Sequence, residues 1–168
     1  MKICRAKEEN IDAIVKIMDE AKQYFKVHDI PQWQNENGYP NAEDVEGDID
    51  KCGAWIIQDE RQVVGYSFID VYQDPNYAYI EGKWLNDSSY VVIHRTCVEN
   101  AYKGKNIASH FIEKAKDICK EKNVHNIRVD THEKNISMQH LLGKNGFVKV
   151  GIIYVEDGSP RYAYQLVI

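Results

Sequence analysis

The residues from Val98 to Ala108, VENAYKGKNIA, carry the clearest chemistry in this sequence of 168 residues. A strand-like run from Tyr90 to Val98 enters a turn holding Lys103, Gly104 and Lys105, and a helical pattern starts at Ile107. Such a turn points successive unpaired backbone N–H groups outward at the positive end of a helix dipole. That arrangement suits an anion of the pyrophosphate kind. Gly104 allows close approach of the backbone, Ala108 keeps the first helical turn slim, and Lys103 and Lys105 add positive charge. An ordinary strand-to-helix connection with solvated lysines has the same spacing, so the turn by itself leaves both readings open.

A second stretch, NISMQHLLGKNGF over Asn135 to Phe147, reads as a helix opened by Asn135 and closed by Gly146. Taken together, the two stretches resemble the cofactor half of the GNAT superfamily of N-acetyltransferases. The acyl-CoA loop of that superfamily reads Arg or Gln, two variable residues, Gly, one variable residue, then Gly or Ala. Lys103, Asn106 and Ala108 occupy those positions here, with Asn106 in place of the middle Gly. Asn tolerates left-handed backbone geometry better than most residues. In the second motif of the family an Asn opens a helix that ends Lys-x-Gly-Phe, matched by Asn135, Lys144, Gly146 and Phe147.

The resemblance implies acetyl-CoA as acyl donor and a primary amine of a small molecule or peptide as acceptor. It implies that backbone groups of Thr96, Cys97 and Val98, at a splayed strand edge, hold the pantetheine arm as an added strand. Lys103, Gly104, Lys105, Asn106, Ile107 and Ala108 hold the pyrophosphate, and Asn135 lines the side near the thioester. Transfer is then direct attack by a neutral amine, which needs a base for the ammonium proton and an acid for the thiolate. His94, four residues before Val98, is the candidate base, since imidazole titrates near neutral pH. A strand histidine is also often a packing residue. Glu81 and Glu99 are weaker rivals. Many family members place the acid, a Tyr, seven residues after the helix-opening Asn, where this chain has Leu142. Tyr154, Tyr162, Tyr164 and Cys97 are the substitutes on offer, with Tyr154 put first. An acyl-CoA-binding sensor without catalysis is the alternative that Asn106 and Leu142 keep open. An unrelated nucleotide-binding protein ranks last, for want of a Walker or dinucleotide motif.

Trp33, Tyr39, Trp84 and Tyr79 fall in two loops that would cover an acceptor, as an amine pocket or as lid packing. In DTHEKN, Asp130 to Asn135, Thr131 and His132 read either as pocket residues or as turn and capping residues. Arg95 should face away from His94 if the strand alternates.

The elements that position these residues follow from periodicity. Met1 to Arg5 reads as a strand, and Asn10 to Phe25 as a helix with Ile11, Ile14, Val15, Met18 and Ala21 inward. A loop over 28–40 and a short acidic helix follow. Ala54 to Gln58 and Gln62 to Val71 form a hairpin, 74–87 is a long excursion, and Ile107 to Lys120 is a second amphipathic helix. Asn126 to Asp130 is a strand, Ile136 to Lys144 a helix, and Phe147 to Val155 and Arg161 to Val167 two closing strands. The helix between strands ending at Val98 and starting at Asn126 implies local parallel pairing. The expected fold is α/β: a central, mixed, mostly antiparallel twisted sheet flanked by helices, in one domain over residues 1–168.

Composition narrows the function classes. With 43% hydrophobic and 28% charged residues the chain has the makeup of a globular domain rather than a disordered one. A formal charge of −5 gives no basic footprint, so no nucleic acid partner is expected. No apolar run is long enough for a membrane span, and MKICRAKEEN lacks the apolar stretch of a signal peptide, which predicts a cytoplasmic protein. The four cysteines are scattered, which argues against a metal site and for buried, inert thiols. A homodimer is left open.

Overall fold

The computed structural model describes all residues 1–168 and contains eight strands and four α-helices. The chain folds as two compact units, residues 1–69 with 95–111, and residues 70–94 with 112–168.

In the first unit, β1 (Lys2–Arg5) pairs antiparallel with β2 (Ala54–Asp59), which pairs antiparallel with β3 (Gln62–Val71) through a tight turn. Next to β3 runs the C-terminal half of β5 (Val91–Val98). The helix α1 (Ile11–Val27) buries Ile14, Ile17, Met18, Ala21 and Phe25. That face is turned slightly from the sequence expectation, because Ile17 and Phe25 are inward while Val15 is only half-buried. Residues at this spacing lie one above another on a helix, so their apolar stripe is continuous. Ile14, Ile17, Met18 and Ala21 join Val45, Ala54, Ile56, Val63, Tyr66 and Cys97 in one apolar core. The short α2 (Ala42–Asp50) starts at a capping box: Asn41 Oδ1 accepts from the Glu43 and Asp44 amides, and Asp44 Oδ2 accepts from the Asn41 amide.

In the second unit, the N-terminal half of β5 pairs in parallel with β6 (Asn126–Thr131) at Val91↔Ile127 and Val92↔Arg128. The expected parallel pairing is present. β6 pairs antiparallel with β8 (Pro160–Val167), and β8 with β7 (Val148–Tyr154). An element with no periodic signal, the two-residue β4 (Glu81–Gly82), adds to β7 inside what the sequence marks as an excursion. The antiparallel pairings outnumber the parallel one, as the sequence predicts. The helix α3 (Ile107–Lys122) has residues 107–111 in the first unit and 112–122 in the second; it buries Ile107, Phe111, Ile112, Ala115 and Ile118, all the residues expected, together with Cys119. The fourth helix, α4 (Ile136–Lys144), ends where Gly146 takes φ 85° and the Phe147 amide donates to the Leu142 carbonyl.

Two expectations about cysteine need correction. Cys97 and Cys119 are buried, but Cys4 is half-buried and Cys52 is exposed. Cys52 lies just after α2 with φ 56°, in the turn that leads to β2, where the chain reverses at the surface. All four are free thiols.

Candidate active site

The loop between β5 and α3 keeps the conformation that an anion site needs. Gly104 takes φ 78° and Asn106 φ 62°, so both occupy the left-handed region. The Asn at the middle Gly position therefore adopts the backbone that a glycine would adopt, at a cost Asn bears better than other residues. A Cβ built on Gly104 would meet nothing within 4 Å, so the requirement there is backbone conformation and not space. The Ser109 hydroxyl donates to Asn106 Oδ1 at 2.8 Å and the Ser109 amide to the Asn106 carbonyl at 3.2 Å, fixing the entry to α3. The amides of Ile107 and Ala108 lie in the first turn, where no intrahelical carbonyl is available to them. Lys103 Nζ lies 4.1 Å from the Tyr24 ring centroid and Lys105 Nζ 4.6 Å from that of Tyr102. Burial pulls the Lys103 ammonium below its ordinary pKa, while Glu20 opposes that shift. Two left-handed residues, a helix start and two lysines make a donor set that fits a pyrophosphate.

Upstream of the loop, β5 departs from regular alternation at Arg95, whose φ is 54°. The side chains on either side of that break belong to different clusters. Arg95 donates from Nε to Asp48 Oδ2 at 2.8 Å and from Nη2 to Asp48 Oδ1 at 2.5 Å. Its Nη1 donates to the Tyr39 hydroxyl at 3.1 Å. The Tyr66 hydroxyl donates to Asp48 Oδ2, so three hydrogen bonds converge on a carboxylate that is only 2% exposed. Desolvation works against the Arg95 charge, but Tyr39 and Asp48 outweigh it and hold the guanidinium above its ordinary pKa. Burial, then Asp48, pushes the Tyr66 phenol well up. Ser67 and Thr96 hydroxyls lie 2.8 Å apart on the neighbouring strands. Burial pushes the Cys97 thiol up to about 12, which removes it as a proton donor near neutral pH.

His94 has a different set of partners. Its Nε2 lies 2.8 Å from Asp74 Oδ2, and its Nδ1 lies 3.9 Å from Asp130 Oδ2. With the Asp74 carboxylate accepting, the ring carries a proton on Nε2. Tyr77 donates to Asp130 Oδ2 at 2.7 Å, and the Asp74 amide donates to the Tyr90 hydroxyl at 3.0 Å. The Tyr77 ring stands edge-on to the His94 ring at 5.9 Å. Burial and the Asp130 carboxylate hold the Tyr77 phenol protonated far above its ordinary range. The sequence points to His94 but gives no sign that Asp74, Tyr77 and Asp130 surround it, because only the fold of 74–90 brings them there.

The remaining candidates separate. Trp33 packs edge-on to Phe25 at 5.4 Å and lines the core of the first unit, and its loop is tied to α1 by Lys22 Nζ donating to the Gly38 carbonyl. Tyr39 is bound to Arg95. Trp84 is buried: its indole N–H donates to the Tyr77 carbonyl, and its ring face is covered by the Arg128 guanidinium at 4.1 Å. It is packing for the excursion over 74–90. His132 is also buried, with Nδ1 accepting from the Lys134 amide, and burial followed by Arg161 pulls its pKa down. Thr131, at the end of β6, is fully buried and its hydroxyl has no hydrogen-bond partner. Asn135 Oδ1 accepts from the Met138 amide and so caps α4. Tyr154 donates to Glu81 at 2.8 Å on the β4–β7 edge. Two strands, β6 and β8, lie between β5 and β7, so Tyr154 is roughly 14 Å from the His94 strand. The structure does not bring those two together. Leu142 is buried at 1% exposure and can donate nothing.

The acetyltransferase (GNAT) family model matches residues 14–147. The chain belongs to the GNAT acetyltransferase family. It is an N-acetyltransferase, an enzyme of a family that transfers acyl groups from acetyl-CoA to amines. A GNAT-family acetyltransferase from Streptococcus agalactiae is similar over 99% of this chain and 95% of its own, with 32% identity and a TM-score of 0.89. An acetyltransferase from Staphylococcus aureus shows 26% identity over 99% of both chains and a TM-score of 0.75. The NatC complex bound to Gag peptide and CoA has the same fold at 18% identity, covering 100% of this chain and 99% of its own, with a TM-score of 0.68. Comparison with curated proteins gives no match. The mixed, mostly antiparallel fold expected from the sequence is that of the family, and no helix is long and apolar enough to cross a membrane.

Proposed function

We propose that this acetyltransferase moves an acetyl group from acetyl-CoA to a primary amine of a small molecule or peptide, by direct attack of the amine on the thioester. The observation that carries the reading is the His94–Asp74 pair at 2.8 Å, an imidazole oriented by a carboxylate on the strand that leads to the anion loop. An oriented imidazole is the group best suited to take the proton of an attacking ammonium near neutral pH. Asp74 lies 2.8 Å from Nε2 and Asp130 lies 3.9 Å from Nδ1, so two carboxylates flank the ring that takes the proton in this reading. Backbone groups of Thr96, Cys97 and Val98 hold the pantetheine arm in this reading, and residues 103–108 hold the pyrophosphate. The left-handed Gly104 and Asn106 support the second assignment. Tyr39, on the loop tied to α1, is assigned to the acceptor side. The four free thiols suit a cytoplasmic setting.

Calorimetric titration with CoA and release of free thiol from acetyl-CoA across a panel of primary amines test the reading. Binding of CoA with amine-dependent thiol release supports it. Binding of CoA with no amine-dependent release across small-molecule and peptide amines overturns it.

A further inference from the structure

The family's usual proton donor is absent, since Leu142 is a buried aliphatic residue, and Cys97 and Tyr154 do not replace it. The first unit contains a phenol held in an unusual way. Tyr39, from the loop before α2, accepts a hydrogen bond from Arg95 Nη1 at 3.1 Å. Arg95 is itself fixed by two bonds to the buried Asp48, and its guanidinium also lies over the Phe68 ring at 5.2 Å. The residue takes φ 54°, a conformation that a non-glycine residue holds only where its surroundings compensate.

Three features converge on one role. Arg95 sits immediately before Thr96, so it marks the end of the segment assigned to the pantetheine arm that is farthest from the anion loop at 103–108. An arm that starts at that loop and runs back along β5 brings its thiol end toward Arg95. A phenol whose oxygen accepts from a fixed guanidinium can lose its own proton with the phenolate stabilised.

We propose that Tyr39 is the proton donor to the departing thiolate, with Arg95 as the residue that positions it and stabilises its phenolate. This inference rests on the acetyl-transfer reading above. In the step, the amine nitrogen forms its bond to the carbonyl carbon while the carbon–sulfur bond breaks. The electron pair of that bond goes to sulfur, which takes the Tyr39 proton and leaves as the free thiol of CoA. The proton lost by the amine passes through the base to solvent, and solvent returns one to Tyr39, so charge and protons balance over a turnover. Asp48 fixes the guanidinium that donates to the phenol.

Tyr39→Phe removes one oxygen atom and tests this directly. The expected result is a fall in kcat of about 100-fold, the range for a lost general acid, with KM for acetyl-CoA and calorimetric CoA affinity within twofold of wild type. The basic limb of the pH–rate profile, where the phenol loses its proton, should disappear in the variant. An unchanged melting temperature excludes a folding defect as the cause. The inference is overturned if kcat stays within twofold with the basic limb intact, or if KM rises while kcat holds. Slow hydrolysis of acetyl-CoA without amine expels the same thiolate, and it separates the two readings. Should no amine be acetylated while Tyr39→Phe still slows hydrolysis, the acceptor reading falls and Tyr39 as donor stands. Should amines be acetylated equally well by both proteins, only Tyr39 falls.

Discussion

Two consecutive residues of β5, His94 and Arg95, sit in clusters built from the same parts in different arrangements. Each has a carboxylate partner and a tyrosine that donates to a carboxylate: Asp48 with Tyr66 beside Arg95, and Asp74 with Asp130 and Tyr77 beside His94. Around Arg95 the charges cancel one to one, and both oxygens of Asp48 are engaged. Around His94 one imidazole stands between two carboxylates, and its Nδ1 is 3.9 Å from the second, beyond hydrogen-bond reach. The first arrangement is closed and favours one geometry. The second holds one imidazole against two carboxylates. A buried ion pair with both carboxylate oxygens engaged fixes one geometry; a histidine flanked by two carboxylates is chemically suited to proton transfer.

This contrast can be broken by exchanging the effects of substitutions in the two clusters. The largest change is expected from Asp48→Ala. It leaves the Arg95 guanidinium uncompensated beside a buried phenol, which costs about 3–5 kcal/mol for a broken buried pair. Denaturant unfolding should show that loss. A cost below about 1 kcal/mol would mean that Arg95 finds water, and that the cluster is not closed.

The next effect is on rate and not on stability. His94→Gln keeps a hydrogen-bonding side chain but cannot carry a proton, and kcat should fall by about 100-fold or more, the worth of a general base. The melting temperature should move by only a few degrees. A rate within threefold of wild type, with an unchanged acidic limb in the pH profile, would remove His94 as base. Asp74→Asn is milder. The imidazole keeps a hydrogen-bond partner but loses the carboxylate that orients it. kcat should fall by roughly tenfold, a barrier increase of about 1.4 kcal/mol. A rate equal to wild type would contradict the role given to Asp74.

Much of this was legible in the sequence, and what was not has a physical reason. Periodicity located α1, α3, α4 and every strand longer than two residues, since each buries one face against a core and its apolar spacing records that. The β5–α3 loop could be read because Gly104 and Asn106 are types that accept a left-handed backbone, and both adopt it. The two-residue β4 left no periodic trace, because a Glu and a Gly exposed at a sheet edge bury nothing. The partners of His94 were hidden for another reason. Asp74 lies 20 residues before it and Asp130 lies on a different strand, so their approach depends on the path of 74–90. That path is set by burial of Tyr77 and Trp84; the sequence leaves Trp84 open between acceptor pocket and lid packing, and in the structure it is buried. Arg95 was expected to differ from His94 by alternation alone. It differs through a break in the strand at φ 54°, for which an arginine gives no sequence signal.

The smallest effects come from the matched phenols, and they sharpen the contrast most. Burial, reinforced by the neighbouring carboxylate, keeps Tyr66 and Tyr77 protonated through any working pH, so both act as permanent donors. Tyr66→Phe removes one of three bonds to Asp48 and should cost about 1–2 kcal/mol of stability, as for a hydrogen bond to a charged group, with kcat within twofold. Tyr77→Phe should cost a similar amount, but it also removes the donor that holds Asp130 Oδ2 beside His94. kcat should therefore fall in this variant, whereas Tyr66→Phe leaves it unchanged. If Tyr77→Phe changes stability alone, as Tyr66→Phe is expected to do, then Asp130 has no influence on His94. Asp74 would then be the only carboxylate that tunes the base.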